Sequence, residues 1–294
     1  MDPNTCSYCG NEVPLDWVYC PHCGDGLKCP NVILAGQSIE RDALERRYQA
    51  ASASAGHRGC DAVVREFETA TRASQAVMGS TLQKLMPIVR RDRDIFATYH
   101  DLAELRFLRD SAPHGPDWNV VRPAAEIALL GSHKHISKLH YAALALDGRS
   151  LPHYGEVTVL LRENLIARRV SLFQENSAVY VHRHGIHFPE GTRGIWEERH
   201  KLCVAKLAEQ LTKATRRDEF STILLQKGPN AIDDQFVEVH LFGPMTFATF
   251  EKVTVRQMGA RPSSPKRPRK RRGTTDEQAL VDYCKIYKTE CELM

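Results

Sequence analysis

The start of this chain carries a pair of cysteine turns, in the stretch CSYCGNEVPLDWVYCPHCG. Two C-x2-C pairs stand ten residues apart, and a glycine follows each pair. A C-x2-C turn directs two thiolates at one point, and glycine relieves the tight backbone behind the second cysteine. Two such turns supply four tetrahedral ligands, so we expect structural zinc to be bound by Cys6, Cys9, Cys20 and Cys23.

Residues 1–30 resemble the zinc-ribbon family on this spacing. Four thiolates leave no open position for a substrate, so the metal would stabilise the fold and take no part in catalysis. Five of the nine cysteines lie in the first 29 residues. Without a secretion signal, such clustering favours metal over disulfides. Lys28 is accompanied by acids at Glu12, Asp16 and Asp25, which favours a protein contact for the ribbon over a nucleic-acid contact.

Composition places the chain among ordinary water-soluble proteins, with 42% hydrophobic and 26% charged residues. No apolar run approaches the roughly 20 residues that cross a bilayer. The N-terminus has neither the basic nor the apolar region of a signal peptide. We therefore expect a cytoplasmic protein with no membrane partner.

The positive charge is concentrated in residues 261–272, RPSSPKRPRKRR, which hold seven Lys or Arg and no acid. The net charge of the chain is only +4, so the remainder is slightly acidic. Such a segment is expected to be disordered. It could bind an anionic partner such as nucleic acid by releasing counterions, or act as a solubilising linker. With a short helix after it, it forms the C-terminal segment 261–294.

Hydrophobic periodicity predicts two or three helices in a connector over 31–93, followed by an α+β domain over 94–260 with a mixed or mostly antiparallel sheet. The strands predicted in this domain are 94–100, 124–131, 154–161, 168–175, 233–243 and 247–256. The predicted helices are 101–110, 133–148 and 195–215, while 220–226 fits either state. In 233–243, alternation puts Glu238 and His240 on the same face as Phe236 and Phe242, opposite Val237, Val239 and Leu241.

Four stretches resemble, in this order, the ADP-ribosyltransferase fold, and most closely the toxins that modify nucleic acids. They are ATYHDLAELRFLRDSA, LLGSHKHISKLHYAALA, YGEVTVLL and FVEVHLFGPMTFATFEKVTV, and they span residues 94–256. The resemblance implies a split-sheet domain that uses NAD as substrate. The fingerprints of dinucleotide-binding dehydrogenases, P-loop enzymes, zincins and serine hydrolases are missing from the sequence.

The resemblance also implies roles for particular residues. Glu238 would be the catalytic glutamate, with His240 tuning it or contacting the acceptor. His100, at the end of the first strand, would face it across a cleft and hydrogen-bond the nicotinamide ribose, with Tyr99 beside the ring. Ser132, His135 and Tyr141 are candidates for the second NAD-binding motif. One departure is that Asp101 and Leu102 follow His100, where the family often has a small hydroxyl residue.

A carboxylate at Glu238 suits this chemistry. Cleavage of the N-glycosidic bond of NAD builds positive charge on the ribose as neutral nicotinamide leaves, as in glycoside hydrolysis. A fixed carboxylate stabilises that charge, and it can orient the 2′-hydroxyl or accept the acceptor's proton.

The expectation is therefore an NAD-dependent toxin or defence enzyme that modifies nucleic acid, with a protein antitoxin implied by the resemblance. Three alternatives stay open. The protein could be a non-enzymatic zinc-ribbon adaptor, or a metal-dependent nuclease that uses His133, His135 and His140. Glu238 and His240 could also lie on a half-exposed strand face that meets water.

Overall fold

The computed structural model describes Asn11, His22 and residues 29–92, 94–104, 116–131, 137–256 and 273–294. The chain forms a mixed α/β structure. Its α-helices are α1 Pro30–Ala35, α2 Ser38–His57, α3 Asp61–Arg72, α4 Leu82–Val89, α5 Tyr99–Glu104, α6 Trp118–Leu130, α7 Glu163–Ile166, α8 Ser177–His184, α9 Arg199–Leu207, α10 Phe220–Leu224 and α11 Gly273–Ile286. Its strands are β1 Gln75–Ser80, β2 Leu139–Ala145, β3 Val157–Leu161, β4 Val170–Phe173, β5 Arg193–Ile195, β6 Glu238–Phe242, β7 Phe250–Val255 and β8 Glu290–Leu293.

Within the described part of the chain, these strands form one sheet in the order β5-β4-β6-β2-β1-β3-β7-β8. Neighbouring strands are antiparallel except β7 and β8, which run parallel. The sheet is therefore mixed and largely antiparallel, which confirms the prediction from the alternation of helical and strand patterns.

The two central strands stay paired over only part of their length. β1 and β2 pair from Gln75↔Ala145 to Val77↔Ala143. Beyond that point β1 continues along β3 as far as Ser80, while β2 continues along β6 back to Leu139. The middle of the sheet thus opens into a cleft between β1 and β2, and the joined end of this cleft lies at Val77 and Ala143.

Both faces of the sheet are covered. Val239 and Leu241 of β6 belong to the larger core cluster, which includes Phe67 of α3 and Leu202 of α9. Phe242, on the opposite face of β6, packs in a second cluster with residues of α6 and α8. The two faces predicted for this strand are therefore both buried, and the alternative of a half-exposed strand face at Glu238 and His240 is wrong.

Predictions of single elements had mixed outcomes. Strands were correctly expected at β3, β4, β6 and β7, and a helix at α9, although α9 is shorter than the predicted 195–215. The segment 31–93 contains the expected helices, but the sequence analysis missed β1 within it. The domain boundaries at residues 30, 93 and 260 remain predictions.

Three elements were predicted in the wrong state. Residues 94–100 form no strand, because residues 94–98 are irregular and α5 begins at Tyr99. Residues 124–131 form the end of α6 and its left-handed cap at Gly131, as suits their Ala, Glu and Leu content. The stretch LHYAALA forms β2 despite its helix-forming residues, because pairing with β6 and β1 overrides local propensity.

Among the described residues, no helix is both long and apolar enough to cross a membrane. The basic segment 261–272 lies outside the described residues.

Candidate active site

A cavity of about 190 Å³ occupies the cleft between β1 and β2. One wall is formed by residues 77–80 of β1, and another by residues 140–143 of β2. The remaining boundary is formed by residues outside the sheet, among them the segment 96–99, Leu102 and Tyr154. Glu238, the first residue of β6, lines the cavity at the joined end of the cleft, because it pairs with Ala143.

Glu238 is held in one orientation by hydrogen bonds to a single oxygen. The backbone N–H of Ser177, at the start of α8, donates to Oε2 over 2.8 Å. A second hydrogen bond of 2.8 Å joins Oε2 to Nε2 of His240. The other oxygen, Oε1, lies 3.9 Å from Nη1 of Arg122, which is too long for a hydrogen bond. Oε1 therefore keeps capacity to interact with a ligand.

The surroundings of Glu238 favour its ionised form. The side chain is only 3% exposed, and burial by itself raises the pKa of the carboxyl. The His240 ring, the Arg122 guanidinium and the Ser177 N–H together outweigh burial and lower that pKa below its usual value. Near neutral pH, Glu238 is thus a carboxylate inside a largely apolar cavity.

His240 holds Glu238 by its hydrogen bond to Oε2 and is not among the residues that line the cavity. Its ring is fully buried and meets the ring of Tyr141 edge-on, with centroids 5.7 Å apart. Nδ1 of His240 is buried without a hydrogen-bond partner among the described residues. This geometry suits positioning of Glu238, whereas a direct contact with an acceptor would require rearrangement.

Arg122 of α6 is a site residue that the sequence analysis missed. Its guanidinium carbon lies 4.3 Å from the ring centroid of Tyr141 and 5.5 Å from that of Tyr99. It lines the cavity together with both rings and with Glu238. Its Nε and Nη1 atoms are buried and have no hydrogen-bond partner among the described residues. No local sequence signal marks Arg122, since it stands in the unremarkable stretch WNVVRP.

A second buried carboxylate, Glu126, connects two of the predicted site residues. The Tyr141 hydroxyl donates to Oε1 of Glu126 over 2.7 Å. Oε2 of Glu126 is hydrogen-bonded to Nε2 of His100 at 2.9 Å and to the backbone N–H of Ser137 at 3.0 Å. These three contacts, led by that with His100, outweigh burial and lower the pKa of Glu126.

His100 is consequently placed differently from our expectation. It lies in the first turn of α5 and not at the end of a strand. Its ring is bound to Glu126 and is not among the residues that line the cavity. The prediction that a histidine from the first strand faces Glu238 across the cleft is therefore wrong. Tyr99 and Tyr141 do line the cavity, and Arg122 is the charged group that faces Glu238.

Several predicted ligands lie outside the described residues, namely Ser132, His133, His135 and the four cysteines. Within the described part of the chain, no group of three or more His, Cys, Asp or Glu residues is arranged to hold a metal ion. His140, a residue of the nuclease alternative, is buried in the wall of the cavity.

Comparison with known protein families finds a match to a short part of the chain. A zinc-ribbon domain matches residues 5–27, which include Cys6, Cys9, Cys20 and Cys23. The prediction of a zinc ribbon is thus confirmed, and four thiolates are a donor set that suits structural zinc. No curated protein matches the chain.

Proposed function

We propose that this protein is an NAD-dependent ADP-ribosyltransferase that acts on nucleic acid, as a toxin or defence enzyme. The observation that carries the proposal is the position of Glu238. Its carboxylate projects from a buried strand into the cavity, is fixed through one oxygen, and leaves the other oxygen beside the open space.

The geometry suits stabilisation of a ribosyl cation. An ionised carboxylate in a poorly solvated cavity interacts strongly with positive charge that develops next to it. Because Ser177 and His240 hold the carboxylate in advance, little reorganisation is needed when the bond to nicotinamide breaks. Aromatic walls at Phe96, Tyr99 and Tyr154 offer apolar surface to the neutral leaving base.

The parting of β1 and β2 also supports the proposal, since the resemblance to ADP-ribosyltransferases implies a split sheet. In this proposal NAD occupies the resulting cleft. Tyr99 and Tyr141 keep the ligand-facing roles that the resemblance gives them, while Arg122 replaces His100 as the polar group opposite Glu238. The preference for a nucleic-acid acceptor and the expectation of a protein antitoxin rest on the resemblance, and the first also on the basic segment 261–272.

The test is to incubate the protein with labelled NAD and, separately, RNA, DNA or lysate protein, and to measure nicotinamide release and label transfer. Glu238→Gln keeps the size of the side chain but removes its charge, so we expect turnover to fall by about 100-fold or more. Glu197→Gln, at an exposed position of the same protein, is the matched control and should retain full turnover. Equal turnover by wild type and Glu238→Gln would contradict the proposal.

The zinc-ribbon match also supports a second candidate, a non-enzymatic adaptor that binds nucleic acid or protein through the ribbon. This candidate predicts retention of a partner by wild type and Glu238→Gln alike, loss of retention on zinc removal, and no release of nicotinamide from NAD.

A further inference from the structure

The cavity carries more positive charge than Glu238 can balance. Among the described residues that line it, the side chains with a full charge are Lys84, Arg122 and Glu238. His140 also lines it, but burial lowers its pKa to about 4, so that ring is neutral near pH 7. Arg122 and Glu238 lie 3.9 Å apart and offset each other. Lys84 is the remaining cation.

Lys84 has no counter-ion of its own in the described part of the chain, where no carboxylate lies within ion-pair distance of Nζ. The nearby carboxylate of Glu156 accepts a hydrogen bond of 2.8 Å from the backbone N–H of Leu82. Burial lowers the pKa of the Lys84 ammonium, and the charge of Glu156 offsets this only in part. A half-buried ammonium without a paired anion is unfavourable on its own, and an anionic ligand would relieve this cost.

The position of Lys84 relative to Glu238 defines two ends of one site. Val77 and Ala143 are paired beside Glu238 at the joined end of the cleft. Ser80 lies three residues further along β1, about 10 Å away at the rise of an extended strand. Thr81 then caps α4, accepting a hydrogen bond from the backbone N–H of Lys84. Ser80 and Lys84 therefore line the open end of the cavity, where α4 begins.

We propose that Lys84 binds a phosphate group of a nucleotide ligand at this open end, while the ribosyl carbon of the ligand lies near Glu238. The inference rests on the proposed function for the identity of the nucleotide, an ADP-ribosyl compound. Lys84 is then a specificity residue that selects phosphorylated ligands over free nucleosides, because a nucleoside leaves the ammonium unpaired.

The experiment measures binding of ADP-ribose and of adenosine by calorimetry to the full chain. Lys84→Met preserves most of the aliphatic stem and removes the charge, whereas Lys84→Arg preserves the charge. We expect at least a tenfold loss of ADP-ribose affinity in Lys84→Met, retention within a few-fold in Lys84→Arg, and no change in the weak binding of adenosine. Lys227→Met, at an exposed lysine, should behave as wild type, and thermal unfolding verifies that each variant is folded.

The outcomes separate the two proposals. ADP-ribose binding that depends on Lys84, without nicotinamide release by wild type, would uphold the phosphate site and overturn the proposed enzyme. If wild type releases nicotinamide and Lys84→Met changes neither the rate nor the KM, the proposed enzyme is upheld and the phosphate site at Lys84 is overturned. Equal ADP-ribose affinity in wild type and Lys84→Met, or no binding of ADP-ribose by either protein, would overturn the assignment of Lys84.

Discussion

At the scale of single residues, the site depends on two buried carboxylates, each of which is held by specific hydrogen-bond partners. Glu238 is held by Ser177 and His240, and Glu126 by His100, Tyr141 and Ser137. Burial without such partners would raise the pKa of each carboxyl and favour its protonated form. These contacts therefore keep two negative charges inside the protein.

His140 makes stability depend on pH. Burial, reinforced by the charge of Arg169, lowers its pKa to about 4, whereas an unfolded histidine titrates near 6.5. Between these values the unfolded chain binds a proton that the folded protein does not. The free energy of unfolding should thus fall as pH drops from about 6.5 to about 4, by up to about 3 kcal/mol from this residue.

Urea unfolding at pH 5 and pH 7 checks this prediction. His140→Gln should show a smaller difference between the two pH values than wild type. The difference should not vanish, because His200 is also buried and its pKa is also lowered to about 4. His182→Gln, at an exposed position of α8, should leave the difference unchanged. An unchanged difference in His140→Gln would refute the assignment.

At the scale of elements, the cavity depends on the approach of the turn before β3 to the end of β1. Gly155 has φ of 128°, a conformation that other residues rarely adopt. A Cβ atom at this position would overlap the backbone carbonyl of Ser80. Glycine is therefore required where the turn before β3 packs against the end of β1.

Gly155→Ala should destabilise the protein by about 2 kcal/mol or more, because backbone must move to remove the overlap. Gly56→Ala is the matched substitution. Gly56 lies in α2, and a Cβ there meets nothing within 4 Å. It should stabilise the protein by about 0.5–1 kcal/mol. Thermal and urea unfolding of both variants measure these effects, and a Gly155→Ala variant as stable as wild type would contradict the close approach of this turn to Ser80.

Elements were predictable where local pattern and tertiary environment agree. The alternation in VTVLL and EVHLF matches strands β3 and β6, whose neighbours pair with them on both sides. β1, with the sequence QAVMGS, has too few β-branched or aromatic residues to signal a strand. It is a strand because β2 and β3 pair with it. For α6 and β2 the predicted states were the reverse of the observed ones, because Ala and Leu suit a helix and a buried strand alike.

At the scale of the whole molecule, we expect the zinc ribbon and the sheet domain to depend on different sources of stability. The ribbon is a small segment whose fold is expected to require metal. The sheet domain has two large apolar clusters of its own. We therefore expect one zinc ion per chain, and removal of zinc should leave the main unfolding transition in place.

Elemental analysis after gel filtration measures the zinc content. Cys20→Ser should lose zinc, because three thiolates bind it more weakly than four. Cys291→Ser, which changes a cysteine of β8, should retain one zinc per chain. Full zinc occupancy in Cys20→Ser would refute the four-cysteine site, and loss of the main transition on chelation would refute the independence of the sheet domain.

Features that depend on residues a few positions apart could be predicted from the order of amino acids alone. The spacing of the cysteines defines the ribbon, and the two-residue period of a strand puts Glu238 and His240 on one face. Three other features are visible only in the folded molecule: β1 and β2 separate, Arg122 of α6 lies beside Glu238, and His100 binds Glu126. Those contacts join residues far apart in the chain. They follow from how strands pair and helices pack, which no local pattern of residues encodes.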